Sequence, residues 1–168
     1  TAYLIGRVVD DQGDPVKVMD IEAQGPRRSV VSTDLEGNFK LGVVAGNWTI
    51  GLDPDNAWEQ NLVSYRSAPI TVTGGNDVTN LTYIAKRATR QLTVIMRDNL
   101  GRPVPNVDLW LSTPWQNTQP NNYSVSIEGD DNGTAVIGVL PGQWNINVDQ
   151  SDLAYLGYAQ VANRSVTI

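Results

Sequence analysis

The sequence predicts an all-β protein made of two tandem Greek-key β-sandwiches of about seven strands each. A stretch with the pattern of a turn, a strand, a tight turn and a second strand occurs twice, once after Ser32 and once after Glu128. Between the turns, apolar and polar residues alternate, and no segment has a convincing helical period. The copies match at a constant offset of about 96 positions: Asp34, Gly37, Val43, Gly46, Trp48 and Ile50 return as Asp130, Gly133, Val139, Gly142, Trp144 and Ile146.

Each repeat is expected to open with a strand that ends in a tight turn. Residues 4–9 precede a turn cluster that ends at Pro15, and residues 92–96 precede one that ends at Pro103. Glycine supplies the positive φ that a tight turn can need, and proline keeps the chain extended where the next strand starts. That next strand alternates around Ile21 in one repeat and Leu109 in the other, which predicts one buried face.

The second repeat is expected to contain a surface loop that the first repeat lacks. The offset between the repeats grows from about 88 to about 96 positions, so about eight extra residues lie between Ser112 and Ser126. This segment is polar apart from Trp115 and Tyr123. Insertions of this kind belong on loops at the protein surface.

The returning strand of each hairpin is expected to bury a tryptophan. Trp48 and Trp144 have the same phase as the apolar residues two and four positions further along. Strand alternation therefore places both rings inward. We predict that they are equivalent core residues, with ligand binding as the alternative.

The second repeat is predicted to lack its last strand. Residues 70–72 and 166–168 match, but only the first repeat continues to another apolar strand, at residues 81–84. The missing strand would leave a neighbour with unpaired backbone groups, which recruit other strands. The chain is therefore expected to be a piece of a longer protein, unless a second copy of the chain fills the gap by strand addition.

Residues 86–91 contain few apolar residues and are predicted to form a short linker. The expected domains are therefore a first sandwich over residues 1–86 and a second, truncated sandwich over residues 91–168.

A spaced pattern of Gly, Pro, Asp and apolar residues occurs in the first repeat at Gly6, Val8, Asp10, Gly13, Pro15, Val16, Thr33, Asp34, Gly37, Phe39, Leu41, Val43, Gly46 and Trp48. This pattern resembles the carboxypeptidase regulatory-like domains, which are Ig-like sandwiches of the transthyretin-like (prealbumin-like) type. They are related to the B-type repeats of bacterial collagen adhesins. The resemblance implies an accessory module of a bacterial protein that is secreted or attached to the cell surface.

The adhesin relatives often carry a Lys–Asn cross-link that starts from a lysine in the first strand. Residues 4–9 and 92–97 contain no lysine, so no cross-link is expected here.

The composition disfavours an enzyme. The 168 residues include no Cys and no His, which removes the thiolate nucleophile, the usual general base and the commonest metal ligand. A net charge of −6 with scattered basic residues disfavours nucleic-acid binding. No apolar run approaches the roughly 18 residues that span a bilayer, so membrane insertion is not expected.

Three aromatic residues are the candidate ligand-binding site: Trp110, Trp115 and Tyr123. Trp110 falls on the outward phase of its strand, at the position where the first repeat has Glu22. Exposed rings flanked by Asn and Gln suit a sugar, because rings stack on apolar sugar faces while amides bond hydroxyl groups. The alternative is that these rings pack on one another, on the other repeat or on a neighbouring domain.

Acidic turns offer oxygen ligands of the kind that Ca²⁺ takes. The candidates are Asp10 with Asp11, Asp53 with Asp55 and Asn56, and Asp130 with Asp131 and Asn132. None has complete EF-hand spacing, and Asp and Asn are also the ordinary residues of turns. The expectation is therefore no metal site and no cofactor, with calcium as the alternative.

The sequence leaves two functions open. The first is a non-catalytic extracellular structural or adhesion module, a spacer in a larger secreted or surface protein. Its partners would be neighbouring domains of that protein, and a glycan or another surface protein. The second is a carbohydrate-binding accessory domain of a secreted enzyme. Glycan binding would discriminate the two.

Overall fold

The structure is a computed structural model that describes residues 1–117 and 122–168. The first half of the chain forms β1 (Ala2–Asp10), β2 (Asp20–Gln24), β3 (Arg28–Ser32), β4 (Asn38–Val43), β5 (Gly46–Leu52), β6 (Leu62–Tyr65), β7 (Ile70–Val72) and β8 (Val78–Arg87). The second half forms β9 (Arg90–Ile95), β10 (Asp108–Ser112), β11 (Tyr123–Glu128), β12 (Thr134–Val139), β13 (Gln143–Val148) and β14 (Arg164–Thr167).

The first half is a β-sandwich. One sheet has the order β6-β8-β1-β4, and the other has the order β3-β2-β5-β7. Strand β1 lies between β4, which is antiparallel to it, and β8, which is parallel to it. Apolar side chains from alternate positions of both sheets meet in one core, as sheet packing requires.

The second half repeats most of this arrangement with the same register. Strands β9 and β12 pair as β1 and β4 do, so that Leu92 faces Ile137 where Leu4 faces Leu41. The order β11-β10-β13-β14 matches β3-β2-β5-β7. The predicted all-β sandwich fold is thus confirmed. Among the described residues of the second half, no strand occupies the place of β6 or β8.

The two halves are joined through one continuous sheet. Strand β6 pairs with β8 on one side and with β11 of the second half on the other, where Tyr65 faces Tyr123 and Ser64 faces Ser124. This pairing produces an eight-stranded sheet that runs through both halves. Val63 of β6 is buried in the core of the second half.

The connection between the halves is shorter than the sequence suggested. Strand β8 ends at Arg87 and β9 begins at Arg90, so the predicted linker over residues 86–91 contains only two residues outside strands. The polar residues at its ends belong to exposed strand positions, which carry polar side chains as readily as a linker does.

The two hairpin tryptophans are core residues, as predicted. Trp48 is 1% exposed and Trp144 is fully buried. Each indole Nε1 donates a hydrogen bond to a backbone carbonyl four residues earlier, that of Val44 at 2.9 Å and that of Leu140 at 2.8 Å. The equivalent bonds satisfy the polar atom of each ring inside the core.

Within residues 1–117 and 122–168, two short helices correct the expectation of strands and turns alone. Helix α1 (Pro54–Ala57) is followed by a 3₁₀ turn (Trp58–Gln60), and α2 (Gln150–Tyr155) follows β13. Each helix has an aspartate N-cap: Asp53 accepts a hydrogen bond from the N–H of Asp55, and Asp149 accepts one from the N–H of Ser151. Four to six residues are too few to show a helical period, so the capping aspartates were the available signal.

Among the described residues, no helix is both long enough and apolar enough to cross a membrane.

Candidate functional site

Trp110 and Trp115 are exposed, as predicted. Trp110 lies in the middle of β10 on the outer face of its sheet and is 52% exposed. Trp115 lies in the long β10–β11 connection and is 69% exposed. This connection is the predicted insertion, and its residues 118–121 lie outside the described part of the chain.

Polar side chains surround the ring of Trp110. Its neighbours across the sheet are Ser126 on β11 and Asn147 on β13. The Asn147 amide donates a 3.1 Å hydrogen bond to the backbone carbonyl of Trp110. Further along the same face, Ser165 donates a 2.8 Å hydrogen bond to the side-chain oxygen of Asn145. We call these five residues the Trp110 face; it presents an indole ring flanked by amide and hydroxyl groups.

Tyr123 lies where the two halves meet. Its ring packs edge-on against Tyr65, with 5.9 Å between centroids, and Tyr65 stacks on Tyr83 at 4.7 Å. Within the described residues, Tyr123 makes no ring contact with Trp110 or Trp115. The structure therefore leaves Trp110 and Trp115 exposed at separate positions and places Tyr123 in a tyrosine cluster between the halves.

The tyrosine cluster is bonded to the backbone. The Tyr83 hydroxyl donates to the carbonyl of Tyr65 at 2.9 Å and accepts from the N–H of Tyr65 at 3.2 Å. Burial, together with the neighbouring Tyr65, raises the pKa of Tyr83. The phenol therefore stays neutral near pH 7, and its two hydrogen bonds to Tyr65 hold β6 and β8 together.

The corresponding outer face of the first half is covered. Glu22 holds the position of Trp110 but is 3% exposed, because Arg28 at 2.6 Å and Arg66 form ion pairs with it. The end of β6 and the residue after it cross this face: a Cβ on Gly51 would lie 2.6 Å from the carbonyl oxygen of Tyr65 and 3.3 Å from the side chain of Arg66. Strand alternation predicted that the Glu22 side chain points outward, but it did not predict that the arginines and the end of β6 cover that side chain. The available signal was the glycine at position 51, where the second half has Asn147.

The carboxylates of the acidic turns bind backbone N–H groups. Asp10 accepts hydrogen bonds from the N–H groups of Gln12 and Asp14, and from Arg87 at 2.7 and 2.9 Å. Burial alone would raise the pKa of Asp10, but the bonds from Arg87 and the two turn N–H groups outweigh burial and lower it. Asp130 accepts bonds from two N–H groups in the same way.

A group of carboxylates lies near Asp108, between α1 and the second half. Burial raises the pKa of Asp108, and nearby negative charges raise it further. Those charges belong to Asp152, Glu128, Asp149 and Asp55. Among the described residues, no three acidic side chains converge closely enough to hold a metal ion.

Comparison with known proteins assigns no family. No family model matches the chain, and no curated protein matches it. Among solved structures, the Bacillus anthracis TIE protein matches at 16% identity over 99% of this chain and 31% of its own, with a TM-score of 0.43. A Streptococcal ancillary pilin matches at 12% identity over 99% of this chain and 58% of its own, with a TM-score of 0.40.

A shaft pilin from Lactobacillus rhamnosus GG, in a double-mutant form, matches at 11% identity over 99% of this chain and 92% of its own, with a TM-score of 0.35. This chain spans less than two thirds of the length of the first two proteins. Identities and TM-scores at this level assign neither a family nor a function to the chain.

Proposed function

We propose that this chain is a non-catalytic structural and adhesion module of a longer extracellular or cell-surface bacterial protein. In this role it is a stiff spacer that holds neighbouring domains of that protein at a fixed separation and orientation. The observation that carries the proposal is the continuous sheet through both halves.

Three contacts support a stiff connection. Backbone pairing of β6 with β11 joins the sheets directly. The tyrosine cluster packs across the same boundary, and Val63 fills a place in the second core. With only two residues between β8 and β9, the halves have little freedom to swing. A spacer needs this property, whereas two domains on a flexible linker would lack it.

The chemistry of the described residues fits a non-catalytic role. The chain contains no His and no Cys. The buried carboxylates of Asp10 and Glu22 are bound by arginines that hold strands and loops in place. These groups are therefore accounted for by structural contacts.

The proposal predicts that the two halves keep one fixed orientation in solution. Residual dipolar couplings of backbone amides from both halves measure this orientation directly. We expect couplings from β1–β8 and from β9–β14 to fit a single alignment tensor.

Carbohydrate binding is the second candidate function, and the Trp110 face favours it. A large ring that is half exposed on a regular strand leaves apolar area in water, and exposed aromatic residues of this kind recur at binding surfaces. The surrounding Asn and Ser side chains supply donors and acceptors for sugar hydroxyl groups. In this function, Trp110 stacks on the sugar and Asn147 orients it.

We expect Trp110→Ala to weaken binding of any glycan that an array identifies by about tenfold or more, because it removes the stacking surface. Val136→Ala is the matched control, since Val136 is 50% exposed on β12, in the other sheet. A glycan that binds the Trp110→Ala variant and the wild type equally would exclude this face. An array on which nothing binds leaves the spacer function alone.

A further inference from the structure

One edge of the second sandwich is open. Strand β9 pairs with β12, but no described residue pairs with its other edge. Met96 donates its N–H toward the β12 side, to the carbonyl of Gly133. Backbone groups alternate in direction along a strand, so the N–H and C=O groups of Thr93 and Ile95 point to the open edge. Such groups are a template for another strand.

The first half shows what this edge is built to accept. The parallel strand β8 covers the same edge of β1. Val8 of β1 lies beside Tyr83 of β8, and Asp10 of β1 lies beside Ala85 of β8. Tyr83 and Ala85 are fully or almost fully buried and complete the first core. Their side chains enter between the two sheets, beside the inward residues of β1.

The second half has a groove at the corresponding place. It has a volume of about 450 Å³, and apolar side chains form most of its wall. Val94 and Met96 of β9 and Ile146 and Val148 of β13 contribute to it and are only half-buried. Val8, Ile50 and Leu52, which correspond to Met96, Ile146 and Val148, are buried in the first half. The side chains that are only half-buried in the second half thus lie at the place where β8 packs in the first half.

The second half also satisfies its own turn carboxylate without a β8. Asp10 accepts a hydrogen bond from Arg87 of β8, whereas the corresponding Asp98 accepts one of 2.7 Å from Arg102 of its own turn. An added strand therefore need not bring an arginine. Two exposed arginines, Arg97 and Arg164, border the groove, and neither forms an ion pair with a described carboxylate. The part of the groove wall formed by described residues contains no acidic residue.

We propose that the open edge of β9 and its groove bind one extended strand of a partner polypeptide. This strand runs parallel to β9, places alternate apolar side chains into the groove and carries a carboxylate beside Arg97. Main-chain hydrogen bonds supply affinity, and the apolar alternation together with the carboxylate supplies specificity.

Val94 sets one further requirement for the partner strand. It replaces Gly6, where a Cβ would lie 2.3 Å from the carbonyl oxygen of Leu81 in β8. Near this glycine, the pairing of β1 with β8 shifts register, and Asn80 of β8 has a left-handed backbone conformation. The side chain of Val94 excludes this close approach, so the partner must be a regular strand without the irregularity of β8.

The test uses a synthetic peptide with the sequence of residues 82–87, which leaves out Leu81 and the irregular part of β8 before it. Its affinity for the full chain is measured by fluorescence anisotropy. In the register of β8, Ile84 of the peptide lies beside Arg97, so the Ile84→Glu peptide should bind about two- to fivefold more tightly at low salt. High salt should remove this difference. A Tyr83→Asp peptide should lose binding, because it places a charge in the apolar groove.

Two protein variants at one position separate strand addition from other binding. Ile95→Pro removes an N–H that points to the open edge, and proline is tolerated on an edge strand. Ile95→Ala shortens the same side chain but keeps the N–H. We expect Ile95→Pro to abolish peptide binding and Ile95→Ala to retain it, with circular dichroism showing that both variants are folded.

Three results would overturn the proposal. The first is that neither the parent nor the Ile84→Glu peptide binds at about 1 mM. The second is that Ile95→Pro binds as well as Ile95→Ala. The third is that the wild-type chain forms a dimer that Ile95→Pro disrupts, which would assign the edge to a second copy of the chain.

Discussion

Replacing Trp144 with alanine is expected to lower the free energy of unfolding by about 3–5 kcal/mol, the usual cost of removing a large buried aromatic side chain. Trp144 is fully buried, and its indole N–H is bonded to the Leu140 carbonyl inside the core. The substitution leaves a cavity and an unpaired carbonyl together. Urea unfolding followed by circular dichroism measures the loss.

The chain provides two controls for this substitution. Trp48→Ala removes the equivalent ring of the first core and should cost a similar amount. Trp110→Ala removes a half-exposed ring from a strand and should cost only about 1 kcal/mol. A Trp144→Ala loss as small as that of Trp110→Ala would contradict the core position of Trp144.

Val63→Asp is expected to lower the free energy of unfolding by about 3–5 kcal/mol, because it leaves a charge without a partner in an apolar core. Val63 belongs to β6 in the first half, but it is fully buried against side chains of the second half. The substitution should therefore destabilise the core of the second half, although the substituted residue belongs to the first half of the chain. Amide hydrogen exchange should show faster exchange around Trp144 in β13 and around Val125 in β11.

Val136→Asp is the matched control for this prediction. It introduces the same charge into the second half, at a side chain that is 50% exposed. We expect it to leave exchange in β11 and β13 nearly unchanged. If Val63→Asp accelerated exchange only in β6 and β8, the halves would not share a core contact.

The sequence predicts those parts of the fold that depend on local patterns. The repeated hairpin and strict alternation placed Trp48 and Trp144 inside both cores, where the structure has them. The length difference between Ser112 and Ser126 located the surface connection that carries Trp115. Alternation also placed Trp110 outward, because its neighbours Leu109 and Leu111 had to face the core.

Long-range contacts account for what the sequence left unpredicted. Glu22 has the outward phase of its strand, but a crossing segment and Arg66 bury it. Tyr123 was grouped with the exposed tryptophans, but the pairing of β6 with β11 brings it to Tyr65. Both outcomes depend on which distant segments of the chain become neighbours in the fold, and neither periodicity nor composition contains that information.

Residual dipolar couplings test the continuous sheet between the halves most directly. Couplings from β1–β8 and from β9–β14 are measured on one sample and fitted separately. A stiff joint through β6 and β11 predicts the same orientation and magnitude for both alignment tensors. Two tensors that differ in magnitude or direction would show that the halves reorient independently, and would contradict both the joined sheet and the spacer function.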